Sequence, residues 1–176
     1  MRIKIGTDST ADIPREVRER LDINVLPLSV VHEGREYVEN VDITPEEFYV
    51  TLENCEKIPT SSQVTTQAYV DLYEKTFAAG YTDLIQISLN AKGSGTFQSG
   101  VIAKDLFFES HPEAAGTFAI HNVDSETYSM LYGHAVIKAA EMARNGASVE
   151  EIIAFVEIFL LKIFTVFAVI LFSVIT

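Results

Sequence analysis

Side chains able to do chemistry gather in four short polar stretches: Asp8-Ser9-Thr10, Ser61-Ser62-Gln63, Ser94-Gly95-Thr96 and Asp124-Ser125. The third leaves the apolar run from Leu84 to Ile87, crosses a loop of small and hydroxyl residues, and enters a segment with helical apolar spacing from Phe97 onward. Strand, loop and helix in that order aim backbone N–H groups and the positive end of a helix dipole at whatever sits above the strand. Gly93 and Gly95 would let a ligand come close to the main chain, and an anionic head group suits such a place. The same residues have a plainer use, in which the glycines make the turn and Ser94 or Thr96 caps the helix.

What the stretches lack narrows the chemistry. A hydroxyl becomes a nucleophile only when a base takes its proton, yet His32, His111, His121 and His134 show no pairing with a serine, and nucleophile-elbow spacing is missing around Ser94. Asp8 is followed two places on by Thr10 rather than a second Asp, and Asp12 lies too far along for a phosphotransferase pair. The glycine loop has neither the Lys-Ser/Thr ending of a nucleotide P-loop nor dinucleotide spacing. No two histidines have helical ligand spacing and Cys55 is the only cysteine, so neither metal nor cofactor is expected. Binding is favoured over catalysis, with a phosphotransferase or hydrolase using Asp8, Asp124 or Ser94 as the alternative.

The elements that must position these stretches alternate along the chain. Arg2 to Thr7 reads as a strand, the next residues as a loop into a helix with Pro14 in its first turn, and Asn24 to Val31 as a second strand with Pro27 at an edge or bulge. A turn at His32–Glu36 returns through Tyr37 and Val38. Thr44-Pro45-Glu46-Glu47 opens a helix that should reach about Cys55. The hydroxyl run from Thr60 to Thr66 reads as a polar loop, followed by a helix carrying Tyr69, Leu72, Tyr73 and Phe77 on one side. Leu84 to Ile87 and Gly116 to Val123 are further strands; Phe97 to Phe108 is a helix, and so is a later segment with Tyr132, Val136, Ala139 and Ala143 along its apolar face. This alternation predicts an α/β fold, a mainly parallel sheet flanked by helices, with the polar loops collected at the carboxyl edge where open sheets bind ligands.

Composition bounds the partners. With 176 residues, 48% hydrophobic and 22% charged, the chain is long enough for one ordinary domain with a sizeable core. A net charge of −12 and the absence of any basic run argue against nucleic acid and anionic membrane surfaces. The first residues enter a strand directly, leaving no room for a secretory signal, and a cytoplasmic protein is expected.

The order Thr7-Asp8-Ser9-Thr10-Ala11-Asp12, Pro59 to Gln63, Ser94-Gly95-Thr96-Phe97-Gln98-Ser99 and Val123-Asp124-Ser125 resembles the DegV family of fatty-acid-binding proteins over residues 1–157. The family's second motif reads Thr-Ser-Gln-Pro; Ser61-Ser62-Gln63-Val64 keeps the hydroxyl at its first place and loses the proline at its last. The resemblance implies that a long-chain fatty acid is held between two α/β domains, its carboxylate bonded by Ser61 and Ser94, with Ser62 and Thr96 completing the site. It also implies presentation of the acyl chain to a separate fatty-acid kinase that makes the acyl phosphate for phospholipid synthesis, with no transfer by the binding protein itself. An acyl chain needs an apolar channel, for which Phe97, Val101 and Phe107 are candidates, though helical Phe and Leu are more often ordinary core.

Ser148-Val149-Glu150-Glu151 is a capping box that starts a helix, but after Glu157 the sequence turns almost wholly apolar, with Lys162 its one charge. The family would continue here into a second domain with a Gly-Gly-Arg motif. Residues 158–176 are therefore expected to be an apolar tail of a truncated or out-of-frame chain, ahead of a membrane anchor or a buried element; Lys162 and the lack of flanking Lys/Arg argue against stable membrane insertion.

Overall fold

A computed structural model describes residues 2–175, with side chains described through Lys162. Strand β6 (Asp83–Ser88) is buried at every position from Leu84 to Ser88, which requires cover on both of its faces. It pairs in parallel with β1 (Ile3–Asp8) on one side and β7 (Ala119–Asp124) on the other, and β2 (Asn24–Leu26) adds beyond β1, giving the order β2-β1-β6-β7. One face carries Ile5, Ile85 and Ile87 against Tyr132, Val136 and Ala139 of α5 (Met130–Arg144) and Ile152 and Val156 of α6 (Val149–Ile175). The other carries Leu84 and Ile120 against Tyr69 and Tyr73 of α3 (Thr66–Ala78) and Phe107 of α4 (Thr96–Ser110). The expected α/β fold with a parallel sheet between helix layers is the fold observed.

The segment read as one strand from Asn24 to Val31 is two. Pro27 has no N–H for a ladder, and the N–H of Leu28 turns to the hydroxyl of Ser9 at 2.9 Å, so the chain leaves the parallel sheet and starts β3 (Ser29–His32) in a second sheet. That sheet is antiparallel, ordered β4-β3-β5, with β4 (Arg35–Val38) returning through Glu33 and Gly34, whose φ values of 50° and 77° suit a tight hairpin turn. Its third strand, β5 (Thr60–Ser62), corrects the reading of the hydroxyl run as loop alone: without apolar alternation, these residues are extended because β3 pairs with them, Val30 opposite Ser61 and Ser29 opposite Ser62.

Two helix starts form as their side chains dictate. Thr44 and Glu47 bond reciprocally at the head of α2 (Pro45–Asn54), and Ser148 and Glu151 do the same ahead of α6. Cys55 lies just outside α2, as its extended C-cap. Helix α6 passes position 157 without interruption, and beyond it Leu160 is buried while Phe159 stacks near Phe155 at 5.6 Å. The side chains of residues 163–176, most of the expected apolar tail, lie outside the described residues. Among the described residues no helix is long and apolar enough to cross a membrane.

Candidate functional site

Strand β6 delivers Leu89 and a tight loop to the carboxyl edge of the sheet, where the N–H of Lys92 bonds Asn90 Oδ1 and that of Gly93 bonds the Asn90 carbonyl. The glycines serve neighbouring side chains. A Cβ on Gly93 would sit 2.0 Å from the Tyr128 hydroxyl, and one on Gly95 the same distance from Gln63 Oε1. Past them, Ser94 Oγ accepts the N–H of Thr96 at 3.2 Å and shares a hydrogen bond of 3.0 Å with Thr96 Oγ1, at the first turn of α4 where the helix dipole is positive.

Two of the four polar stretches meet here. The N–H of Val64 donates to Thr96 Oγ1 at 3.3 Å, and Gln63 Nε2 donates to Ser99 Oγ at 3.0 Å. Val64 is thus using the N–H that proline, expected there from the resemblance, would lack. Ser61 is three residues from Val64, within about 11 Å by chain length alone. Ser61 is exposed and Ser62 half-buried, and among the described residues neither hydroxyl has a hydrogen-bond partner. Of the channel candidates, Phe97 and Val101 are half-buried and belong to neither core cluster. Phe107 is core: fully buried, it stacks on His111 at 4.8 Å and packs edge-on to Phe77 and Phe118.

Asp8 and Asp124 are occupied by donors from their own and neighbouring segments. Asp8 Oδ1 accepts the Thr10 N–H, the Thr10 hydroxyl and the Tyr132 hydroxyl, while Oδ2 accepts the Leu89 N–H at 2.9 Å, so one carboxylate ties the β1 loop, the β6 loop and α5 together. Burial pushes its pKa above the ordinary carboxylate value, with these hydrogen bonds opposing. Asp124 Oδ1 accepts the N–H groups of Ala91 and Glu126, and Ser125 is buried with its hydroxyl on the Thr127 carbonyl. The Asp8 hub escaped sequence reading because Tyr132 looked like one more apolar-face residue; a tyrosine where the other face residues are Val and Ala was the available signal. No histidine reaches Ser94: His32 lies near Glu33, His111 on Phe107, His121 on Asp83 and His134 on Phe159. Among the described residues no group of three or more His, Cys, Asp or Glu side chains is arranged to hold a metal ion.

The second sheet is joined to this edge through Ser9, whose hydroxyl accepts the Leu28 N–H and donates to Glu39. A cavity of about 210 Å³ opens beside it, lined by Ser9, Asp12, Val30, Glu39, Ile43 and Phe48 among others. Burial first, and then the charges of Asp12 and Asp8, push the pKa of Glu39 up against the lowering effect of Ser9. A carboxyl with a raised folded pKa keeps its proton where the unfolded chain has lost it. Its stability contribution is complete below the ordinary value of 4.5 and falls as pH rises through the folded value. Glu39→Gln should therefore flatten this part of the stability curve, so that the variant gains on the parent as pH rises from about 4 to 7. Denaturant midpoints across that range check it, and parallel curves for the two proteins would refute it.

Fold and edge together define an open-sheet α/β protein whose carboxyl-edge loops present hydroxyls and a helix N-terminus. The DegV family model matches residues 2–171, and the chain belongs to the DegV family. A DegV domain-containing protein of Clostridium perfringens is 36% identical over 152 residues, which cover 86% of this chain and 52% of that one. Among solved structures, DegV of Bacillus subtilis, described as a fatty acid binding protein, superposes with a TM-score of 0.78 at 34% identity over 89% of this chain and 53% of its own. A DegV family protein of Thermus thermophilus, solved for its fatty acid binding, gives 0.78 at 30% identity over 91% and 54%. The chain spans about half the length of these relatives.

Proposed function

We propose that the chain binds a long-chain fatty acid by its carboxylate, with Ser61 and Ser94 donating to the oxygens and Ser62 and Thr96 beside them. It performs no transfer itself, needs no cofactor, and presents the acyl chain in the cytoplasm to a separate fatty-acid kinase that feeds phospholipid synthesis. Residues 1–157 are the lipid-holding unit in this reading. The observation that carries it is the meeting of the two hydroxyl stretches through Val64 and Thr96, which puts Ser94 near a strand whose own hydroxyls have no partner among the described residues. Neutral hydroxyls and a helix N-terminus hold a carboxylate by charge-assisted bonds without a countercharge that would slow release. Each buried methylene adds roughly 0.8 kcal/mol, and Phe97 and Val101 offer apolar wall outside the packed cores. Likeness to relatives described as fatty-acid-binding supports the ligand class.

Native mass spectrometry of the protein purified from a bacterial host tests this directly. Adducts of fatty-acid mass that are lost on delipidation and regained with oleate are expected. An adduct-free protein that also ignores added oleate would overturn the reading. A phosphatase and esterase screen separates it from a phosphotransferase or hydrolase, for which Asp8 and Asp124 would have to give up the loop amides they now bind.

A further inference from the structure

The hydrogen-bond order around Ser94 goes beyond naming it as a ligand residue. Thr96 is fully buried, and among the described residues its hydroxyl has two hydrogen-bonding neighbours, the Val64 N–H and Ser94 Oγ. The first can only donate. The Thr96 proton, which a buried site leaves unpaired only at considerable cost, therefore has one acceptor, Ser94 Oγ. Ser94 Oγ also accepts the Thr96 N–H, so both of its lone pairs are engaged and its own proton is left to point away from Thr96. Ser94 is half-buried, so that proton can meet a ligand.

We infer that Thr96, oriented by the Val64 N–H, is a positioning residue that makes Ser94 an obligate donor and so selects an ionised acid head group over an alcohol of the same chain. The inference rests on the fatty-acid reading above and assigns its head-group specificity. A carboxylate offers only acceptors to such a donor. An alcohol can also accept, but its own proton finds no free lone pair on Ser94, and its bond to Ser94 lacks charge assistance.

The test compares oleate with oleyl alcohol at neutral pH on the full chain, on Thr96→Val, which keeps the shape and removes the hydroxyl, and on Thr96→Ser, which keeps the hydroxyl. The parent should prefer oleate at least tenfold. Thr96→Val should lose most of that preference while Thr96→Ser retains it. Equal binding of the two lipids by the parent, or an unchanged preference in Thr96→Val, would overturn the inference while leaving fatty-acid binding intact. Binding of neither lipid would remove the fatty-acid reading and this one with it. Amide hydrogen exchange at Val64 gives a readout free of ligand: protection should fall in Thr96→Val and persist in Thr96→Ser, and equal protection in both would count against the bond that orders the chain of donors.

Discussion

Asp8→Ala is expected to lower the stability of the fold by about 3 kcal/mol, because a buried and a half-buried main-chain donor lose the one acceptor each has among the described residues. The N–H groups of Thr10 and Leu89 both bond this carboxylate, and each orphaned donor costs roughly 1–3 kcal/mol. The other two partners do better. The hydroxyls of Thr10 and Tyr132 already lie 2.7 Å apart and can pair with each other once Asp8 is gone. For a domain of this size, about 3 kcal/mol corresponds to a fall in Tm of roughly 6–12 °C. Asp8→Asn should fall between, since its carboxamide can serve one N–H with its oxygen but turns an NH₂ toward the other. It should also remove a slope. The raised pKa of Asp8 makes its stability contribution greatest below its ordinary value of 3.8 and smaller as pH rises through the folded value, and a residue that does not ionise has no such dependence. Thermal unfolding of both variants decides the matter: an Asp8→Ala protein melting within a degree or two of the parent would mean the hub is not what holds the three segments together.

That hub marks the limit of what the chain alone reveals. Local signals were legible: the reciprocal caps at Thr44 and Ser148 formed with the partners their spacing named, and the apolar run at Leu84 became one of the two inner strands of the parallel sheet. Long-range pairings were not. Nothing within Thr60-Ser61-Ser62 asks to be a strand, and the reason it is one sits about thirty residues away in β3. Pro27 signalled an irregularity, but only the bond from Leu28 to Ser9 shows that the chain changes sheets there. The polar edge was placed correctly by topology, because strand ends in a parallel sheet must share an edge. Contacts across the fold consume Asp8, Asp124 and Ser125 at that edge, while Ser61 and Ser62 of β5 have hydroxyls without a partner among the described residues.

Ser61→Ala and Ser94→Ala should each weaken fatty-acid binding about tenfold or more, the loss of one hydrogen bond to a charged group being worth roughly 1.5–3 kcal/mol. The two substitutions differ in what else they disturb, and that difference makes them informative together. Ser61 is exposed and its hydroxyl has no partner among the described residues, so removing it should leave stability within about 0.5 kcal/mol of the parent. A change in affinity there reports the ligand contact alone. Ser94 accepts both the N–H and the hydroxyl of Thr96, so its loss also leaves the buried Thr96 proton without an acceptor and should cost about 1–3 kcal/mol of stability. Affinity should therefore be measured well below the melting range of Ser94→Ala, where the folded fraction is complete for all three proteins. If one carboxylate is held by both hydroxyls, the double variant should lose less than the sum of the single losses, because removing the first donor already loosens the head group from the second. Titration with oleate, read by calorimetry or by displacement of a fluorescent fatty acid, measures all four corners of that cycle. Unchanged affinity in both single variants would remove the site from this edge of the sheet.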